Sequence, residues 1–184
     1  QKVNFFAAGQ FGMRKSISTV KTDRMDIDTA FTAYLKQRNK PINQGFFAFG
    51  RMGMDYFIDN RNTISAAVNY NHGQFSSNEN QYIDSTINSI FETHSNRYTN
   101  TKRNFENFGS QLSFRHNFTK SGHDITADIN YNSSTNDNVG SYTTSYFTPQ
   151  NSPKYPSLLQ QTLGSGYNKF LTLQSDYENP LNDN

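Results

Sequence analysis

The chain has 184 residues with a formal net charge of +2, and 33% of its residues are hydrophobic, 15% are aromatic and none is cysteine. The near-neutral charge argues against nucleic-acid binding, and the missing cysteines exclude disulfides, thiolate metal sites and cysteine nucleophiles. A mean hydropathy of -0.84 is low for a two-sided core, yet a chain with 16 Phe and 11 Tyr is too aromatic for ordinary disorder. A wall made of a single layer of chain needs no two-sided core, so it is consistent with both observations.

Six segments alternate apolar and polar residues with the two-residue period of a β-strand. In chain order they cover about 2–17, 45–58, 63–77, 104–118, 124–134 and 169–177. The third and fifth contain one phrase repeated at an offset of 61 residues, ISAAVNYN from Ile64 and ITADINYN from Ile125. In both copies the apolar residues alternate with Ser, Thr, Asn, Asp or Ala. Each predicted strand therefore has one apolar face and one polar face.

The connections between these strands have two very different lengths. Residues 59–62 and 119–123 are short and rich in turn formers, whereas 18–44, 78–103 and 135–168 are long and polar. Short periplasmic turns and long extracellular loops are typical of a meander embedded in a bilayer, and each strand has the roughly 9 to 11 residues needed to cross it. We therefore predict an all-β fold, an antiparallel up-and-down meander of about six long strands.

Aromatic residues lie near both ends of the predicted strands. Those toward the short turns are Phe5, Tyr56, Phe118 and Tyr177, and those toward the long loops are Phe46, Tyr70, Phe108 and Tyr131. This distribution predicts two interfacial girdles. The alternative is that aromatic residues are simply favoured in strands.

No apolar run approaches the roughly 20 residues of a transmembrane helix. Neither a basic nor an apolar signal region follows Gln1, so we expect a signal peptide either to have been removed or to lie upstream.

Charged residues on the strands define a candidate interior surface. They are Arg14, Arg51, Asp55, Arg115 and Asp128. We assign them to the lumen because an Arg that faces lipid at mid-depth costs about 2 to 4 kcal/mol. A charge ladder along the inner wall is favoured over direct contact with a ligand.

The third long loop carries a group of aromatic candidates for ligand contact. They are Tyr142, Tyr146, Phe147, Tyr155 and Tyr167. These rings could stack on a sugar or a siderophore, or pack the loop against its neighbours, and the sequence does not favour either reading.

Other chemistry-bearing residues give no site. The four histidines lack metal-ligand spacing, and the acidic group Asp23, Asp26 and Asp28 lacks the Gly and the distal Glu of a calcium loop. No nucleophile with a base and no phosphate-binding glycine loop is apparent. We therefore expect no catalytic residue, no metal and no cofactor.

Two phrases carry a resemblance to a known family, GRMGMDYFIDNRNTIS at residues 50–65 and LTLQSDYENPL at 171–181. They resemble the barrel domain of TonB-dependent outer-membrane receptors, most closely the Bacteroidota-type outer-membrane β-barrel family, and the likeness is strongest from residue 45 to 184. The resemblance implies a barrel of about 22 strands around a plug domain in a Gram-negative outer membrane. It also implies uptake of a ligand, such as a siderophore or a glycan, that is driven by an inner-membrane energy-coupling complex.

Six strands are fewer than the eight of the smallest bacterial barrel. We therefore expect residues 1–184 to be a partial barrel domain in the cell outer membrane. Its expected partners are outer-membrane lipid, the remaining strands and plug of the parent chain, and the TonB-type complex, with no nucleic acid.

Two other classes of protein remain open. A secreted β-rich binding module or adhesin would pack its apolar faces against a second sheet about 10 Å away. An outer-membrane hydrolase would require a nucleophile and a base on one face.

Overall fold

The computed structural model describes residues 2–27 and 32–180, which form eight strands of one antiparallel sheet. The strands are β1 Val3–Ile17, β2 Val20–Ile27, β3 Thr32–Asn39, β4 Ile42–Phe57, β5 Asn62–Ile87, β6 Ile90–Asn117, β7 Asp124–Phe147 and β8 Leu158–Glu178. Their order across the sheet is β1-β4-β5-β6-β7-β8, while β3 pairs with β2 and with the far end of β5. No helix among the described residues is long and apolar enough to cross a bilayer.

The eight strands occupy six columns. Only residues 18 and 19 separate β1 from β2, and only Lys40 and Pro41 separate β3 from β4. The Ser18 amide donates to the Pro41 carbonyl at 3.2 Å, so the pairing of the two columns continues past the break. Pro41 has no amide hydrogen and cannot complete the ladder, which explains the interruption. The predicted all-β, up-and-down meander is therefore confirmed, with two columns each divided into two strands.

The segments predicted as long loops are largely strand, which corrects the sequence analysis. Residues 18–44 contain β2 and β3, although 28–31 lie outside the described residues, and 78–103 are the far ends of β5 and β6. A turn at Asn88 and Ser89, with φ of 48° and 68°, joins β5 to β6 as in a type I′ hairpin. Residues 135–168 keep a loop only at 148–157. Most residues on both faces of these extensions are polar, so the regular apolar alternation by which a strand is recognised is missing.

The sheet has no core. Among the described residues no hydrophobic side chain is buried, and large apolar side chains are exposed on every one of the six columns. Residues opposite one another on neighbouring strands form rows, and one row is apolar throughout. It contains Phe5, Met54, Ala66, Leu112, Ile129 and Leu173. We call the face that carries this row the apolar face and the opposite one the polar face.

The two copies of the repeated phrase are staggered relative to each other in the sheet. Ile64 and Ile125 begin the alternation at the same point of their copies, but the register places Ile64 in the row of Phe114 and Ala127. The stagger is therefore two residues over two strands. In a wall where both copies lie at the same depth, a rise of about 3.4 Å and a strand spacing of about 4.8 Å convert this stagger to a tilt of about 35°. That value is within the roughly 35–45° of transmembrane strands.

Three of the four aromatic residues predicted for the long-loop side lie near the long-hairpin end of the apolar band. Tyr70 and Phe108 share a row, and Tyr131 lies two residues below that row on β7. Phe46, the fourth, is in the row of Gln74, four residues further along β5 than Tyr70. Beyond Tyr70 and Phe108 the apolar face becomes polar, beginning with His72 and Glu106, whose Nδ1 and Oε1 atoms are 3.6 Å apart.

Candidate functional site

All five charged residues predicted to line an interior lie on the polar face. Arg14 is opposite Gly45, Arg51 is opposite Asn69, and Asp55 is opposite Ser65. Arg115 is opposite Thr63 and Thr126, and Asp128 is opposite Ser113. These positions alternate with those of the apolar row, so the side chains lie across the sheet from the exposed apolar band. The structure places Asp55 and Asp128 in one row and leaves Arg14 far from both.

The row of Asp55 and Asp128 is joined by hydrogen bonds. It runs through Asn4, Asp55, Ser65, Ser113, Asp128 and Gln174. Asp55 accepts from Ser65 Oγ at 2.7 Å and from Asn4 Nδ2 at 3.2 Å, and Asp128 accepts from Ser113 Oγ at 2.6 Å. Each carboxylate is thus held by the hydroxyl on the next strand. This arrangement is that of a polar ladder that fixes the wall.

Two arginines near the short-turn end also have partners on neighbouring strands. Arg115 Nη2 donates to Asp124 Oδ2 at 2.6 Å, and the Arg51 guanidinium lies 5.6 Å from the centre of the Phe6 ring. Phe6 itself lies over Gly53, where a Cβ would collide with the ring. Both guanidinium groups therefore contact side chains of neighbouring strands in the sheet.

An aromatic group covers part of the polar face further from the short turns. Phe105 stacks on Phe47 with ring centres 6.4 Å apart and on Phe75 with centres 6.0 Å apart. The rings fit because glycines lie beneath them. A Cβ at Gly73 would be 2.5 Å from Phe105, and a Cβ at Gly45 would collide with Phe75. Because Gly45 and Gly73 have no side chains, the three phenyl rings form a platform on an otherwise polar surface.

A cleft of about 470 Å³ lies next to this platform. One row along its floor runs through Arg14, Gly45, Phe75, Arg103 and Asn138. Of these residues, only Arg14 was predicted from the sequence as part of a site. Arg103 is an even number of residues from Arg115 on the same strand, so the alternation rule could have found it. Phe75 and Asn138 gave no comparable signal.

The predicted aromatic loop does not exist as one surface. Tyr142, Tyr146 and Phe147 belong to β7 and Tyr167 belongs to β8, so only Tyr155 is in the loop. Tyr142 and Tyr146 lie on the polar face, whereas Phe147 and Tyr167 are in register with the apolar face. The structure therefore corrects the location of four of these residues. β7 and β8 extend beyond the strands predicted from the sequence, because the mostly polar residues of these extensions show no regular apolar alternation.

Several of these rings have neighbours in the wall. The Arg97 guanidinium lies 4.9 Å from the Tyr142 ring centre, and Phe147 stacks on His94 at 5.0 Å. Tyr146 and Tyr155 meet edge to face at 6.1 Å. Packing within the sheet therefore involves Tyr142, Tyr146, Phe147 and Tyr155.

The short turn between β4 and β5 is ordered around Asp59. Its Oδ1 atom accepts from the Arg61 and Asn62 amides, each at 2.8 Å, and Oδ2 accepts from Asn62 Nδ2 at 2.8 Å. These bonds, that from the Arg61 amide above all, hold the pKa of Asp59 below its usual value. The carboxylate thus substitutes for backbone acceptors that a tight turn leaves out.

The other short turn carries an aromatic cluster. Phe118 stacks on His123 at 3.9 Å and meets His116 edge on at 4.5 Å, and His123 Nε2 is 2.9 Å from the Tyr177 hydroxyl. Rings with one polar atom suit the boundary between hydrocarbon and water. Across the described ranges, no group of three His, Asp or Glu residues has a geometry that could hold a metal. Asp23 and Asp26 are in β2, and Asp28 lies outside those ranges.

One known family matches part of the chain. A sequence model of an outer membrane protein beta-barrel family matches residues 116–184, from the end of β6 through β8. No curated protein matches the chain. The matched segment contains the second copy of the repeated phrase and the final predicted strand. With the apolar band and the single-layer antiparallel sheet, this match places the protein in the outer membrane and indicates a β-barrel fold.

Proposed function

We propose that this chain is part of a TonB-dependent receptor that takes up a ligand through the outer membrane, of the Bacteroidota type that its strand phrases resemble. The observation that carries the proposal is the two-sided wall. An exposed apolar band suits lipid, and the opposite face carries polar ladders, an aromatic platform and a cleft. The ligand would be a siderophore or a glycan. Under this proposal the chain performs no covalent chemistry.

Unpaired sheet edges support a larger assembly. In the described residues β1 and β8 each have one neighbouring strand in the main path. Backbone groups without partners are too costly inside hydrocarbon, so both edges require further strands. We propose that these come from the parent polypeptide and close a barrel around a plug domain. The polar face then lines the enclosed interior.

The alternative of a secreted adhesin has less support. Such a module hides its apolar face against a second layer, whereas the described residues form one sheet with that face bare. The hydrolase alternative also has less support, because the hydrogen-bonded pairs Asp55–Ser65 and Asp128–Ser113 form a ladder across the strands rather than a nucleophile with its base and orienting acid.

Energy coupling is tested by uptake in cells. A labelled ligand found by binding screens should accumulate in cells with an intact coupling complex. Cells that lack the coupling protein, or that are treated with an uncoupler, should bind the ligand at the surface without accumulating it. Equal accumulation in all three cases would refute coupled uptake and leave a passive pore.

Cysteine labelling tests which face is enclosed. The chain has no cysteine, so single substitutions give clean signals if any cysteines elsewhere in the parent are first replaced. On β6, Gln111→Cys and Ser113→Cys should react with a small charged reagent that enters from water. The adjacent Leu112→Cys and Phe114→Cys should react only with a lipid-soluble reagent. Loss of this alternation would contradict the assignment of the polar face to the interior.

A further inference from the structure

We infer that the cleft beside the aromatic platform binds an acidic sugar. The inference rests on the proposed function, since it requires the polar face to line a water-filled interior. It names the class of ligand and the residues that would recognise it. The anchor residues are Arg14, Phe75, Arg103 and Asn138, which share one row with Gly45.

The spacing within this row leaves room for a ring between two positive charges. The backbones of Arg14 and Arg103 are three strands apart, which is about 14 Å at ordinary strand spacing. Phe75 lies between them and covers Gly45. An apolar ring face can bind the C–H side of a sugar, and a guanidinium can bind its carboxylate through paired hydrogen bonds. The cleft volume of about 470 Å³ lies within the usual range for small ligands.

The next row supplies groups for sugar hydroxyls. It runs through Ser16, Asn43, Ser77 and Thr101, and all four line the same cleft. Hydroxyl and amide side chains both donate and accept. A purely aromatic acid has no use for such a row, so these residues favour a sugar.

Charge on the polar face favours an anion at this end. Among the described strands, the face around and beyond the platform carries Arg14, Arg24, Arg97 and Arg103, against Asp26 and Glu79. Arg24 is paired with Asp26 at 2.9 Å. The short-turn end of the face instead carries Asp55, Asp124, Asp128, Asp176 and Glu178 against Arg51 and Arg115, so it is net acidic. An acidic ligand is therefore attracted to the cleft and repelled further along the wall.

The test is calorimetric titration of the complete, detergent-solubilised protein with digalacturonate. Its dimethyl ester has the same rings without charge, and benzoate has a carboxylate on an aromatic ring. We expect digalacturonate to bind at least about tenfold more tightly than either, and the double variant Arg14→Gln/Arg103→Gln to lose about tenfold in affinity. The matched control is Lys15→Gln/Lys102→Gln, which removes the same charge one residue away on the apolar face and should change affinity less than about twofold.

The outcomes separate this site from the wider proposal. Equal binding of the ester, or equal loss in both double variants, would overturn the acidic-sugar site. Equal binding of benzoate would overturn the choice of a sugar. If the arginine variant does not fold, the wild-type protein still tests the site. Its affinity for digalacturonate must fall when the salt concentration is raised, and an unchanged affinity would overturn the site. Intact labelling alternation without digalacturonate binding would refute the site alone, and lost alternation would refute the enclosed interior.

Discussion

A positive charge placed on the apolar face should destabilise the barrel far more than the same charge one residue away. Leu112 is at the centre of the apolar row, is 48% exposed in the sheet and faces Ala66 and Ile129. With lipid outside, Leu112→Arg places a guanidinium near mid-depth, at a cost of about 2 to 4 kcal/mol. That cost corresponds to a reduction of the folding equilibrium by about 30- to 1000-fold.

Gln111→Arg is the matched control, since it adds the same side chain to the same strand on the polar face. We expect a change within about 0.5 kcal/mol, as for ordinary solvated positions. Phe108→Arg, at the rim of the band, should have an intermediate or small effect because the cost falls to about 0 to 1 kcal/mol near the interface. The measurement is the folded fraction of the complete protein in lipid vesicles across a guanidinium series, read from heat-modifiable gel mobility. Equal effects at positions 111 and 112 would refute the two-sided wall, and the opposite order would reverse its faces.

Three further predictions concern the wall and its turns. Gly73→Ala should cost about 1 to 3 kcal/mol in the same guanidinium assay, because its Cβ would lie 2.5 Å from Phe105; an unchanged midpoint would contradict the tight ring packing. Asp128→Ala should cost about 1 to 2 kcal/mol, because Ser113 loses its acceptor; an effect no larger than that of an exposed position would show that the ladder is not stabilising. The Asp59 pKa is lowered from 3.8, so its contribution is present above that value and lost as the pH falls through the lower folded pKa. Asp59→Asn should remove this part of the acid sensitivity, and identical pH profiles would contradict the turn's role.

Much of the wall could be predicted from the sequence. The alternation in ISAAVNYN and ITADINYN predicted two strands, and β5 and β7 contain them. The same alternation predicted which charges share a face, because side chains of a strand point to opposite sides in strict turn. The meander followed from short turn-forming segments between long apolar-polar repeats.

The outer parts of the hairpins could not be predicted in this way. Residues 78–103 form strand on both sides of the turn at Asn88 and Ser89. Most residues on both faces are polar and the few apolar ones do not alternate regularly, so the hydrophobic pattern is lost while backbone pairing continues. The prediction that Tyr142 lies in a loop is wrong for the same reason. β7 extends to Phe147 and includes Tyr142, but its outer part has no regular apolar alternation.

The sequence by itself determined which side chains lie on the same face of each strand, since that depends only on a local two-residue period. The tertiary structure alone decided which strands meet at which residue, because register depends on contacts between segments distant in the chain. Arg14, Phe75 and Arg103 are widely separated in sequence and become one row only through three strand pairings. The apolar faces could therefore be predicted from the sequence alone. The cleft could not, because its residues come together only when the strands pair.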